Sequence, residues 1–244
     1  MTTRIAVVTG GGSGIGRATC TRLTADGFTL AVLDVDGEAA KVAAGPDGLG
    51  CAADIADRDA VDAAFAQVVA AFGRIDVLVN NAGVSGTVDA TICHETTVEE
   101  WDRVLAINTR GPFLCARAAL PVMLAQGSGH IITVASVAGQ VAFPGRCAYT
   151  ASKGAALMFA KSLAADYAAA GIRSNAVCPG FVRTPMTQWR LDVPELREQV
   201  EARIPTGRVA EPDDIADAIA VLASGRLGYM TGAALVFDGG WTVL

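Results

Sequence analysis

Two textures alternate along the chain, and that alternation leaves few folds open. Short runs at Ile5–Thr9, Phe28–Leu33, Ile75–Val79, His130–Val134, Ile172–Val177 and Ala234–Phe237 have strand length and are almost continuously apolar. Half-exposed strands alternate apolar and polar residues; unbroken apolar runs suit a parallel sheet covered on both faces. A weaker strand signal lies at Gly50–Ala53. Between the runs, Ala-rich segments repeat at helical period over 14–26, 36–44, 57–72, 98–125, 149–170 and 211–224. Strand–helix alternation of this kind predicts right-handed crossovers and an α/β, doubly wound, mostly parallel seven-stranded sheet with helices on both faces. No linker or repeat interrupts it, so one domain over 1–244 is expected. The stretch 181–210 is different: it carries Pro185, Pro194, Pro205 and five arginines. It reads as an irregular lid, since long irregular loops in compact domains are usually functional.

Composition narrows the function classes. A net charge of −6 without a basic cluster argues against nucleic acid and against a membrane surface as partners. No run of about 18 apolar residues and no basic leader precede the first strand, so a cytoplasmic location is expected. The six cysteines (20, 51, 93, 115, 147 and 178) form no CxxC pair and read as buried free thiols of a reducing compartment. The two histidines, His94 and His130, have no partner at metal-ligand spacing, so no metal is expected. His94 reads as a surface residue, His130 as a satisfied loop or edge histidine, and Trp241 as a subunit-contact residue.

Ligands of doubly wound sheets bind beyond the carboxyl ends of the strands. The first such end is Thr9-Gly10-Gly11-Gly12-Ser13-Gly14-Ile15-Gly16, which runs into an apolar-periodic helix. Glycines there allow a tight turn and let a pyrophosphate approach the backbone, and the helix start offers N–H groups and positive dipole. The spacing is GxxxGxG rather than GxGxxG, and a purely structural glycine turn is the competing reading. Position between strand and helix favours a Rossmann-type dinucleotide site. Asp34 ends the second strand, eighteen residues after Gly16. A carboxylate there can accept from ribose hydroxyls and repels a 2′-phosphate, so NAD is expected over NADP. Strand capping is the blander role for Asp34.

Tyr149 and Lys153 stand four apart at a predicted helix start and share a face. A phenol with a pKa near 10 needs a neighbouring positive charge to act as a base at neutral pH. Ser136 ends the fifth strand, where its hydroxyl can hold a substrate oxygen. Asn108 sits inside the segment 98–125 with no propensity reason for being there.

These motifs, with Asn80-Asn81-Ala82-Gly83, Tyr149-Thr-Ala-Ser-Lys153 and Pro179-Gly180 in the same order, resemble the short-chain dehydrogenase/reductase family over essentially the whole chain. The resemblance implies Tyr149 as general acid/base, Ser136 as orienter of the substrate oxygen, Lys153 as depressor of the tyrosine pKa and ribose ligand, and Asn108 as holder of a relay water. It implies Gly10, Ser13, Gly14, Ile15, Gly16, Asp34, Asp54, Ile55, Asn80, Ala82, Gly83, Tyr149, Lys153, Pro179, Gly180, Val182 and Thr184 along the cofactor. It also implies a homotetramer or dimer. Ala135 departs from the family, many members of which have a second serine there.

Arg146 precedes Tyr149 by three residues, and Arg190 lies in the lid beside Trp189 and Met186. Two guanidinium groups suit a sulfonate, carboxylate or phosphate; the competing reading makes them solvated or lid-bracing. Val141–Arg146 and Thr184–Asp192, with Pro194–Arg197 and Ala202–Pro205, are similar to a subgroup that oxidises 2-hydroxypropyl-coenzyme M, a sulfonate-bearing secondary alcohol. The expected reaction is NAD-dependent interconversion of a small, anionic secondary alcohol and its ketone. The alternatives are a 3-oxoacyl thioester reductase, another alcohol or sugar dehydrogenase, and a non-catalytic dinucleotide sensor.

Overall fold

The computed structural model describes residues 3–87 and 92–243. Seven strands form one sheet: β1 Arg4–Thr9, β2 Phe28–Asp34, β3 Leu49–Ala52, β4 Val77–Asn80, β5 Gly129–Val134, β6 Ile172–Pro179 and β7 Ala234–Phe237. Their order is β3-β2-β1-β4-β5-β6-β7, and every pairing is parallel. The order reverses between β1 and β4, which opens a crevice at the carboxyl ends of those strands.

The unbroken apolar strands explain the two layers. Adjacent residues of one strand point to opposite faces: Val7 enters one core with Leu33, Leu78 and Ile131, whereas Ala6 and Val8 enter the other with Val32, Val79 and Ile132. The first core is roofed by α3 (Arg58–Phe72), α5 (Gly111–Gln126) and α6 (Cys147–Tyr167). The second is roofed by α1 (Gly14–Ala25), α2 (Gly37–Ala44) and α9 (Pro212–Ala223).

Three local expectations change. The segment 98–125 is not one helix: α4 (Val98–Leu105) passes through a π turn at Ala106–Arg110 before α5 begins. Pro112 has no N–H to close an α-helical bond on the Asn108 carbonyl, and the Gly111 N–H reaches five residues back to the Ala106 oxygen. The lid is not wholly irregular. It holds α7 (Pro185–Leu191) and α8 (Pro194–Glu201), each opened by a proline whose missing N–H costs nothing in a first turn. Leu191, Val200, Ile204 and Val209 give the lid a small core of its own.

The third change concerns single residues. His130 is neither in a loop nor at an edge: it lies within β5, between β4 and β6, and is 2% exposed. Its Nδ1 faces the Leu222 carbonyl at 3.2 Å and its Nε2 faces the Asn175 amide at 2.9 Å. Cys93 is exposed and Cys147 half-buried, because they sit in a surface turn and at a helix start; the other four thiols are buried.

Candidate active site

A cleft of about 680 Å³ opens over the crevice, within the usual range for small-molecule sites. The β1–α1 turn forms one wall. Gly10 (φ 65°) and Gly14 (φ 49°) adopt left-handed backbone there, which a side chain would strain. Ser13 and Ile15 line the same wall. Ser13 precedes α1 without bonding to its first amides, and the first turn carries no acidic residue, so an incoming phosphate would meet no competing side-chain oxygen. Asp34, Asp54 and Ile55 close one end, and Ala82 and Gly83 line the middle. Pro179, Gly180, Val182 and Thr184 bring the cleft to the lid. These residues fit a dinucleotide.

Two expected cofactor residues do not reach it. A Cβ on Gly16 would meet the Gly10 carbonyl, so this glycine permits close packing of the turn on the helix. Asn80 is buried, with its Nδ2 donating to the Pro112 oxygen at 3.5 Å. Its neighbour Asn81 is the one on the cleft. The Asn81 amide donates to the carbonyls of Thr9 and Gly10 at 3.0 and 3.1 Å, and the Thr9 hydroxyl accepts from the Asn81 and Ala82 N–H groups at 3.0 and 3.1 Å. The ends of β1 and β4 are thereby tied together.

Ser136, Tyr149 and Lys153 converge on the cleft floor. Burial pushes the Tyr149 phenol above its ordinary pKa, while the Ser136 hydroxyl and the Arg146 guanidinium favour the phenolate. Lys153 is buried, and desolvation lowers its ammonium from 10.5 to about 8. Its Nζ donates to the Val134 carbonyl at 2.9 Å and lies 5.8 Å from the Tyr149 ring centre. Asn108 is off the cleft, and its side chain is fully engaged. Its Oδ1 accepts from the Val84 N–H at 2.8 Å, and its Nδ2 donates to the Val84 oxygen and the Ser152 hydroxyl at 2.8 and 3.0 Å. Ser152 in turn donates to the Tyr149 carbonyl at 2.7 Å.

Beyond Tyr149 the cleft continues into a small pocket of about 130 Å³. Arg146, Arg190, Trp189 and Met186 all line it, as expected; Phe143, Phe181 and Trp241 line it unexpectedly. Trp241 is therefore occupied within its own chain. Arg146 donates from Nη1 to the Thr87 and Ser85 carbonyls at 2.7 and 3.4 Å, which aims it. Burial and the nearby Arg190 hold its pKa below the ordinary guanidinium value, against Tyr149 and Glu100. The Arg190 guanidinium lies 5.1 Å from the Trp189 ring and 5.8 Å from that of Phe181, and its Nε is buried without a hydrogen-bond partner. Among the described residues neither arginine forms an ion pair, and no cluster of His, Cys, Asp or Glu could hold a metal. No helix of the described residues is long and apolar enough to cross a membrane.

Residues 10–242 match the family model described as enoyl-(acyl carrier protein) reductase. The chain is 52% identical to 2-(R)-hydroxypropyl-CoM dehydrogenase of Xanthobacter autotrophicus (strain ATCC BAA-1158 / Py2), over 99% of each chain. It is 38% identical to 2-(S)-hydroxypropyl-CoM dehydrogenase 3 of the same strain, over 98% of this chain and 97% of the relative. A solved structure of 3-ketoacyl-(acyl-carrier-protein) reductase from Brucella melitensis complexed with NADH superposes with a TM-score of 0.90 at 34% identity, over 98% of each chain. The chain belongs to the short-chain dehydrogenase/reductase family, whose members bind a nicotinamide dinucleotide, and its relatives interconvert secondary alcohols and ketones.

Proposed function

We propose that this short-chain dehydrogenase/reductase oxidises a small anionic secondary alcohol with NAD, and that 2-(R)-hydroxypropyl-coenzyme M is its substrate. One observation carries the anionic assignment: two guanidinium groups that form no ion pair among the described residues line the pocket that also holds Tyr149 and Ser136. A sulfonate is a strong acceptor for such a pair and would offset its mutual repulsion. The R hand is supported by the higher identity to the R-specific relative, 52% against 38%. NAD follows from Asp34, whose carboxylate lines the end of the cleft beyond β2 and would repel a 2′-phosphate.

The residues divide the work. Ser136 holds the alcohol oxygen, and Tyr149 as phenolate takes its proton at the phenolic oxygen. Arg146 stabilises that phenolate and, with Arg190, anchors the anionic tail so that the carbinol carbon faces the cofactor. Lys153 and Asp34 hold the two riboses. The bound dinucleotide supplies the hydride acceptor. Trp189 and Met186 exclude water from the lid side. Exposed Phe113 and Met158 on α5 and α6 offer an apolar face for a second copy, consistent with a homotetramer.

The test compares NAD-linked oxidation of 2-(R)-hydroxypropyl-coenzyme M with that of 2-butanol, in the natural protein and in Arg190→Ala. The sulfonate substrate should lead in kcat/KM by at least about 100-fold, equivalent to one or two charge-assisted hydrogen bonds. The variant should lose that lead while keeping 2-butanol turnover. Equal use of the two alcohols, or a neutral variant, overturns the anionic assignment.

A further inference from the structure

We infer that Trp241, in the last turn of the chain, is a specificity-determining residue that ends the substrate pocket and limits the alkyl length of the alcohol. The assignment rests on the pocket beside Tyr149 being the substrate side, as proposed above, and needs neither the sulfonate nor the choice of dinucleotide.

The ring of Trp241 joins three segments that are far apart in sequence. It meets Phe143, in the loop before α6, edge-on at 5.0 Å between ring centres. It meets Phe181, where the lid begins, at 5.2 Å. The Arg203 guanidinium, where the lid ends, lies 4.9 Å over its face. Phe143, Phe181 and Trp241 all line the pocket together with Tyr149, Ser136 and both arginines. The indole is therefore part of the wall of the pocket that holds the reacting hydroxyl, and aromatic walls of this kind are rigid and large.

The turn that carries the ring is built to hold it still. The Asp238 carboxylate accepts from the N–H groups of Gly240 and Thr242, both at 2.8 Å, and from the Thr242 hydroxyl at 2.6 Å. Gly239 has φ 64°, and a Cβ on it would lie 2.6 Å from the Ile204 side chain, so the turn is seated directly on the lid. The Thr206 N–H donates to the Gly239 carbonyl at 3.1 Å. A ring fixed from four sides cannot swing aside for a longer chain. An extra methylene at such a wall costs roughly 10-fold or more in kcat/KM.

The experiment measures kcat/KM for 2-butanol and for 2-decanol, an alcohol longer than the proposed substrate, with whichever dinucleotide supports turnover, in the natural protein and in Trp241→Leu, Trp241→Phe and Asp238→Ala. The natural protein should prefer 2-butanol. The 2-decanol to 2-butanol ratio should rise at least about 10-fold in Trp241→Leu and less in Trp241→Phe, and Asp238→Ala, which keeps the ring but loosens its turn, should fall between. Dinucleotide affinity should be unchanged. A ratio that stays fixed in variants that still bind dinucleotide overturns the inference, as does equal use of both alcohols by the natural protein. Loss of dinucleotide binding in both Trp241 variants would also overturn it, since the ring would then hold the fold rather than size the pocket. A neutral Arg190→Ala with a shifted chain-length ratio would remove the sulfonate assignment and leave Trp241 standing.

Discussion

The backbone N–H of Gly12 donates to the Asp34 carboxylate at 2.9 Å, so the glycine turn after the first strand and the acidic end of the second hold each other in place. A second N–H, from Asp36, reaches the other carboxylate oxygen at 3.1 Å. Both bonds orient the carboxylate, which lines the cleft. Replacing Asp34 with Ala and the exposed neighbour Val35 with Arg should raise the NADP to NAD ratio of kcat/KM by about 100-fold or more, because one repulsion is lost and one ion pair gained. Steady-state kinetics with both dinucleotides measure this. An unchanged ratio would remove Asp34 as the selector.

Tyr149→Phe should lower kcat by about 1,000-fold or more, within the usual range for a lost general acid/base. Dinucleotide affinity, read by titration, should change by less than about 3-fold, since the ring stays and Lys153 keeps its bond to the Val134 carbonyl. Turnover close to that of the natural protein would assign the base elsewhere.

Arg146 favours the Tyr149 phenolate and burial opposes it, which fixes the sign of a pH effect. Oxidation needs the phenolate, so it should rise with pH through the alkaline range; ketone reduction needs the phenol and should fall. Removing the guanidinium in Arg146→Ala raises the tyrosine pKa further. The acid limb of 2-butanol oxidation should then move to higher pH. A neutral alcohol is used so that loss of an anion contact does not enter. An unmoved profile would confine Arg146 to substrate binding.

The parts of the site legible in the sequence are those fixed by distance from a strand end. Asp34, Ser136 and the Gly10–Ile15 turn each follow an apolar run directly, and parallel strands deliver such residues to one edge. Asn80 and Asn81 show the limit of that rule. A strand turns successive side chains to opposite sides, so an error of one residue exchanges the buried amide for the one on the cleft. Pro112 marks the π turn in the sequence, but the apolar period continues through it and reads as one helix. Trp241, Phe143 and Phe181 carried no local signal, since their meeting depends on the lid folding back over the C-terminal turn. His130 misled for the same reason: its partners Asn175 and Leu222 are 45 and 92 residues away.

That histidine should contribute to the loss of stability in acid. Burial, with Arg173 nearby, lowers its pKa from 6.5 to about 3, and the bond to the Leu222 carbonyl opposes the shift only partly. The folded state keeps the ring neutral, whereas the unfolded chain takes up a proton near pH 6.5. A depressed folded pKa means that stability is complete above about 6.5 and is lost as pH falls toward 3. Each pH unit in that window costs about 1.4 kcal/mol at most, so unfolding at pH 4.5 should require less urea than at pH 7 by a free energy on the order of 3 kcal/mol from this group alone. Carboxylates add their own acid losses, so the comparison needs His130→Gln, which keeps polar atoms in the strand but binds no proton. The variant should be less stable at pH 7, having lost two well-aligned bonds. Its further loss between pH 7 and 4.5 should be smaller than that of the natural protein by that same few kcal/mol. Parallel pH dependences for the two proteins would show that His130 is protonated without cost and that the acid limit lies elsewhere.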